Sequence, residues 1–334
     1  MNEVITQLAD YRNIDIQEEL ADAELDDVVD PDSLVDRVMA RRESLAKGIR
    51  LPFAKMQEES CEFALHKGTL NMIGGYSGHG KSTITSQIGL RAMRIGKKVG
   101  VASLEMFPED VLEQYAEMAQ LQKQPNKQYL EQFSAWAKGK LYLYDRMDSI
   151  TPEECIQMTI AFAKYCGCDL IIIDALMMIQ GVSGDNQVEQ EFSQTLAQVA
   201  KKCGVAVLMV HHVRKPSSFD GESKVPGKYE FLGSSHLANI AASIMVVWHD
   251  KAQQEMRADD EMRRSMDPPG MPNPDYNPNN PDMVFKVVKN RYGRYEGAIK
   301  LWQHDHCRAF CSDDFRQLTP ISHKEMGTTI KAVI

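Results

Sequence analysis

From residue 68 onward the chain alternates two rhythms of apolar and polar positions. Largely apolar stretches at 69–73, 98–104, 140–144, 169–174 and 205–210 read as short strands, and that at 169–174 as one buried on both faces. Between them, 84–95, 108–121, 151–165 and 189–202 space their apolar residues as helices do. The sequence Thr151-Pro152-Glu153-Glu154 is a helix start. Strand and helix in regular alternation predict an α/β fold, a mostly parallel central sheet with helices on both faces. Runs at 244–248, 283–288 and 298–302 add later strands.

Two segments break the rhythm. Residues 214–230 are polar and rich in Gly, Ser and Lys, while 251–282 are charged and then rich in Pro and Asn. Both predict long loops, the second mobile. Ahead of the alternating region, 31–42 predicts a helix that Ser33 or Asp32 could cap, with Leu34, Val35, Val38 and Met39 on one face. It could pack on its own domain or on a neighbouring subunit. The expected organisation is an acidic mobile arm at 1–31, a linker helix at 32–50, one domain at 51–318 and a tail at 319–334.

Charge changes this picture only at the N-terminus. The chain carries a net −9, but residues 1–36 hold twelve acids against a single arginine, so the remainder is close to neutral. The arm reads as a solvated tail, or else as a docking arm for a partner or a mimic that keeps nucleic acid out of a basic channel. The near-neutral domain leaves room for local basic loops. Seven scattered cysteines without a C-x-x-C pair suit an intracellular chain with reduced thiols and no zinc site. No apolar run is long enough to span a bilayer, and the first residues lack the pattern of a signal peptide.

The chemistry centres on one turn. Residues Gly75-Tyr76-Ser77-Gly78-His79-Gly80-Lys81-Ser82 satisfy G-x-x-x-x-G-K-[ST] between an expected strand and an expected helix that Thr83 helps to open. Such a turn closes backbone N–H groups around phosphate oxygens, with the helix dipole behind them. Lys81 then reaches the β- and γ-phosphates, and Ser82 holds Mg²⁺. Asp174 ends an apolar strand, where an acid points into the ligand crevice of a parallel sheet and can serve Mg²⁺ through water. If its strand neighbours the phosphate loop, Glu105 can polarise a water for attack on the γ-phosphate. His212 ends the strand at 205–210 and could sense that phosphate, whereas His211 reads as a surface residue. A basic turn holds Lys289 and Arg291, either a solvated hairpin or an arginine finger for a neighbour's nucleotide. Arg214 and Lys215 open a loop that, with residues 180–187, could line a channel for a phosphate backbone.

In this order and spacing, these residues resemble the hexameric replicative helicases of the DnaB superfamily, closest to the phage primase-helicase branch that includes the mitochondrial Twinkle helicase. The similarity runs from about Gly68 to Phe310 and also rests on Leu232-Gly233-Ser234-Ser235 and Lys289-Asn290-Arg291. It implies a RecA-like P-loop core, ATP or another NTP or dNTP between subunits of a hexamer, and single-stranded DNA in a central channel. By the resemblance, Gly75, Ser77, Gly78, His79, Gly80, Lys81, Ser82 and Thr83 bind nucleotide. Ser82 and Asp174 serve Mg²⁺, Glu105 is the base, and His212 is the γ-phosphate sensor. Arg291 acts in trans with Lys289 beside it, and Arg214, Lys215, Gly233, Ser234 and Ser235 contact DNA. Residues 34–42 match the family's linker helix, which docks on the adjacent subunit.

The chain departs from the family pattern in places. Residues 1–47 are too short for a primase or zinc-binding domain, so any primase is expected as a separate chain, alongside a polymerase or loader. Trp302 or His304 is the expected adenine-stacking residue. The resemblance also implies cytoplasmic residence in a phage-infected bacterium. A RecA/RadA-type recombinase or a nucleotide-switched loader would use the same core. The former lacks its N-terminal polymerisation motif here, and the latter has no need of Glu105 and Arg291.

Overall fold

A computed structural model of the chain describes residues 11–21, 29–146, 148–182, 185–213, 224–227, 230, 239–266, 268–322 and 325–326. The strands are β1 (Thr69–Gly75), β2 (Val99–Ser103), β3 (Leu141–Leu143), β4 (Leu170–Asp174), β5 (Ala206–His212), β6 (Ser243–His249), β7 (Met283–Asn290), β8 (Gly297–Gln303) and β9 (Phe310–Cys311). They form one sheet in the order β3-β2-β4-β5-β1-β6-β7-β8-β9. The first six in that order are parallel and the last three antiparallel.

The helices are α1 (Ile16–Leu20), α2 (Val35–Ala46), α3 (Ala54–Gln57), α4 (Lys81–Arg94), α5 (Pro108–Gln120), α6 (Lys127–Ala137), α7 (Pro152–Lys164), α8 (Asn186–Cys203) and α9 (Lys251–Ser265). Strand side chains alternate between two cores. Leu170, Ile172, Leu208 and Val210 pack with α4, α5 and α6 on one face. Ile171, Ile173, Val207 and Met209 pack with α7 and α8 on the other. The unbroken apolar runs of the central strands arise because both faces are covered. The expected start of α7 is present as a reciprocal capping box between Thr151 and Glu154 with Pro152 in the first turn.

Several expectations fail. Residues 251–265, read as loop, form α9, whose polar surface hides its periodicity. Asp250 caps it, and it buries Gln253, Arg257 and Asp260 instead of apolar side chains. Arg257 and Arg316 converge on the buried Asp282, which ties the Pro/Asn-rich stretch to the sheet. Helix α6 was missed altogether. Part of the expected mobile arm is docked on the domain: Gln157 donates to the carbonyls of Arg12 and Ile14, and the Tyr11 and Tyr144 hydroxyls lie 2.7 Å apart. Neither Asp32 nor Ser33 caps α2. Residues Pro31–Leu34 form a 3-10 turn, in which the Ser33 hydroxyl donates to the Asp30 carbonyl. The apolar face of α2 is solvent-facing, with Val35 and Met39 each more than half exposed. Among the described residues, no helix is long and apolar enough to cross a membrane.

Candidate nucleotide site

The site lies where β1, β5, β4 and β2 end. At Gly75 the chain passes so close to β6 that a Cβ would stand 2.6 Å from the Val247 carbonyl oxygen, so only glycine fits. Ser77 and Gly78 form the exposed apex of the turn. Gly80 takes φ +80° and delivers the chain into α4. That helix has neither an acid in its first turn nor a side-chain cap. The amides of Lys81, Ser82 and Thr83 therefore retain the donor capacity that an anion can use.

His79 was expected among the nucleotide contacts, yet its imidazole points inward. Its Nδ1 accepts the His249 backbone N–H at 3.0 Å, and its ring meets Tyr76 edge-on. It thus fastens the loop to the end of β6. Phe310 closes the same side by packing on His249, and the Gln87 side-chain amide pairs with both backbone groups of Phe310.

Lys81 is buried, and its ammonium donates to the carbonyls of Gly75 and Tyr76 at 3.1 and 2.9 Å. Burial pushes its pKa down, while Asp174 and Glu105 pull it back up. Asp174 is also buried. Desolvation raises its pKa, and a hydrogen bond from Ser82 works in the opposite direction. A hydroxyl and a carboxylate side by side are hard oxygen donors that suit Mg²⁺ completed by phosphate oxygens and water. Among the described residues, no group of three or more His, Cys, Asp or Glu is placed to hold a metal ion alone.

Glu105 does not arrive by the expected route. Its strand, β2, pairs with β3 and β4, and β4 and β5 separate it from β1. The carboxylate reaches the site because the chain runs past β2 alongside Asp174, with Leu104 N–H donating to the Asp174 carbonyl at 2.7 Å. His212, in register with Gly75, stands between the two functional poles. Its Nδ1 is 3.4 Å from the Lys81 ammonium, and its Nε2 is 3.8 Å from Glu105 Oε1. With an ammonium donating to Nδ1, the neutral ring carries its proton on Nε2, facing the carboxylate. The contact with His212 holds Glu105 below the ordinary carboxylate range, so Glu105 is ionised at neutral pH. His211, read as a surface residue, is buried because β5 is an interior strand at that position.

Lys251, at the start of α9, was not foreseen. Its ammonium donates to the Gly78 carbonyl at 2.9 Å, placing a second cation at the loop apex. It sits in a stretch read as loop, and nothing in its local sequence marks it.

Lys289 and Arg291 lie elsewhere. Asn290 is in register with Ser243, and Ser243 with Asn71, so they stand beside the start of β1 while the phosphate loop follows its end. Four residues separate the two levels, about 13 Å along the strands. Both side chains donate to the Asn239 carbonyl, at 3.0 and 2.8 Å. Neither can serve its own chain's nucleotide. Trp302 and His304 are at the phosphate-loop edge, the indole N–H of Trp302 donating to Asn279. Arg214, Lys215, Gly233, Ser234 and Ser235 lie outside the described residues. The chain reaches Arg214 from Val213, whose N–H donates to the Gly75 carbonyl at 3.4 Å.

Strand order, glycine turn and buried strand-end acid together define a RecA-like P-loop fold of the nucleoside-triphosphatase class. Residues 56–218 match the AAA domain family. The fold is that of DnaB-like helicase ATPase domains. The solved ATPase domain of G-40P matches at 15% identity with a TM-score of 0.62, over 86% of this chain and 99% of its own. A structure described as a DnaB-like replicative helicase and its interactions with primase matches at 15% identity and a TM-score of 0.60, over 92% of this chain and 75% of its own. No curated protein matches.

Proposed function

We propose that the chain is a ring-forming motor that hydrolyses ATP, or another NTP or dNTP, between subunits to translocate on single-stranded DNA and separate strands at a replication fork. One observation carries this: Lys81, His212, Glu105 and Asp174 share one cleft, while Arg291 sits at the opposite end of the sheet. A subunit built this way offers a triphosphate cradle on one side and an arginine-bearing turn on the other. Stacked head to tail, copies complete each other's sites, and head-to-tail contacts close into rings.

In such a site the first amides of α4 and Lys81 bind the phosphates, and Ser82 with Asp174 would hold Mg²⁺, whose charge offsets that of the phosphates. Glu105 orients the attacking water and accepts its proton, with His212 linking it to the γ-phosphate region. Arg291 of the adjacent copy neutralises charge developing in the transition state. Val213 couples the Gly75 carbonyl to Arg214 and Lys215, the residues proposed to grip DNA with the Gly233–Ser235 turn. The exposed face of α2 suits docking on the adjacent copy. A primase, polymerase or loader would be a separate partner.

Mixing two inactive variants tests the central claim. Lys81→Ala and Arg291→Ala should each abolish hydrolysis, and their mixture should recover part of it through interfaces that receive both wild-type halves. A mixture as inactive as its components, with oligomers present, would overturn the shared site.

A further inference from the structure

The edge of the sheet remote from the nucleotide carries charge that the motor chemistry does not use. Leu141, Val99, Leu170, Ala206 and Thr69 are mutually in register, so five adjacent strands start on one line. At about 4.8 Å per strand, that line is about 19 Å long. Just ahead of it stand Lys140 before β3, Lys97 and Lys98 before β2, Asp169 before β4 and Lys67 before β1. Lys138 caps the end of α6, and Lys201 lies in the last turn of α8. A side chain at Gly68 would stand 3.6 Å from Lys201 Cα, so that helix end abuts the start of β1.

These six lysines face one acid. Asp169 is already held by Lys67 at 2.7 Å, Lys97 at 3.7 Å and the Lys98 backbone N–H at 3.0 Å. Part of the charge has a local task, since α4, α6, α7 and α8 end at this edge and each presents about half a negative charge there. Five positive charges in excess less about two leaves about three, on a chain whose net charge is −9. Lys67, Lys98 and Lys140 precede strands, although Lys98 also donates to the Cys166 carbonyl just past α7 at 3.1 Å and Lys140 stands 4.1 Å over the Trp136 ring of α6. Nearby, at the ends of α7 and α8, Lys164 pairs with the carboxylate of Glu19 and Lys202 donates to the Leu20 carbonyl.

We propose that this lysine row binds the phosphodiester backbone of a single-stranded nucleic acid outside the nucleotide site. The proposal goes beyond the motor function and stands or falls without it. Lysines are point charges without the planar fork that selects carboxylates. A row about 19 Å long spans several successive phosphates of one strand.

The test uses the full chain and a labelled polythymidylate strand, without nucleotide, over a series of salt concentrations. Replacing Lys67, Lys138 and Lys201 with Gln together should make the log–log salt slope shallower by about 2, at about 0.7 per lost contact. DNA-independent ATP hydrolysis should stay at the wild-type rate, which separates this result from failure of the motor chemistry. An unchanged slope in a folded variant overturns the proposal. So does a polyglutamate peptide that loses affinity for the variant while the oligonucleotide does not, since the edge would then serve an acidic protein. Amine acetylation of the wild-type chain gives a check without mutation: polythymidylate should protect Lys67, Lys97 and Lys140, and equal labelling with and without it refutes the site.

Discussion

Replacing Glu105 with Gln removes charge and basicity while keeping shape. The Gln oxygen can still accept from His212 Nε2–H, so the line from Lys81 through His212 survives. Lys81 loses one of the two carboxylates that oppose its desolvation, but buried Asp174 and the Gly75 and Tyr76 carbonyls remain. Nucleotide binding should therefore change little. Loss of a positioned general base costs a factor of about 10²–10⁴, or about 3–5 kcal/mol of barrier. Binding of a fluorescent ATP analogue and phosphate release by a coupled assay separate the two effects. The wild-type acid limb should lie below the ordinary carboxylate range, because the folded state holds Glu105 below it. Hydrolysis by Glu105→Gln within about tenfold of wild type, less than about 1.4 kcal/mol, would show that the base is another group.

Two further outcomes follow from the loop and its support. Gly80→Ala places a side chain at φ +80° with its Cβ 2.7 Å from Met283 Cε. Thermal unfolding should show a loss of at least about 1–2 kcal/mol from the left-handed backbone alone, with weaker nucleotide binding; an unchanged midpoint would refute the strain. Burial pushes His249 from 6.5 down to about 4. The unfolded chain takes up this proton first, so the stability is fully present above pH 6.5 and lost as pH falls toward 4. The shift is worth about 3 kcal/mol across that window. Urea titrations should show the loss in wild type and a smaller one in His249→Gln; equal losses would exclude the buried imidazole.

The parts legible in the sequence were those fixed by local constraints. The phosphate loop needs its glycines within a few residues, and the interior strands need unbroken apolar runs, so Gly75, Lys81 and Asp174 lie where their neighbours indicate. Glu105 was expected beside the phosphate loop and lies near Lys81 and His212, but the route that brings it there depends on strand order, which no local pattern encodes. His211 and His212 are adjacent in sequence yet differ in burial, because successive side chains of β5 face opposite sides of the sheet and His212 is the strand's last residue. Helix α9 escaped because its buried positions are Gln253, Arg257 and Asp260, polar residues satisfied by groups distant in sequence. Lys251 was missed for the same reason. The docked segment around Tyr11 looked like solvated tail because its hold is hydrogen bonding to α7, which composition does not reveal.

The contact of Phe310 with the phosphate-loop glycine has a consequence for biosynthesis. A Cβ on Gly80 would lie 3.3 Å from the Phe310 ring, and Gln87 of the helix behind the loop clasps the Phe310 backbone. The cradle leaves the ribosome long before its wall, because Phe310 lies far downstream of Gly80. A nascent polypeptide that stops short of Phe310 therefore has an unfinished cradle, and competence for fuel waits for that residue.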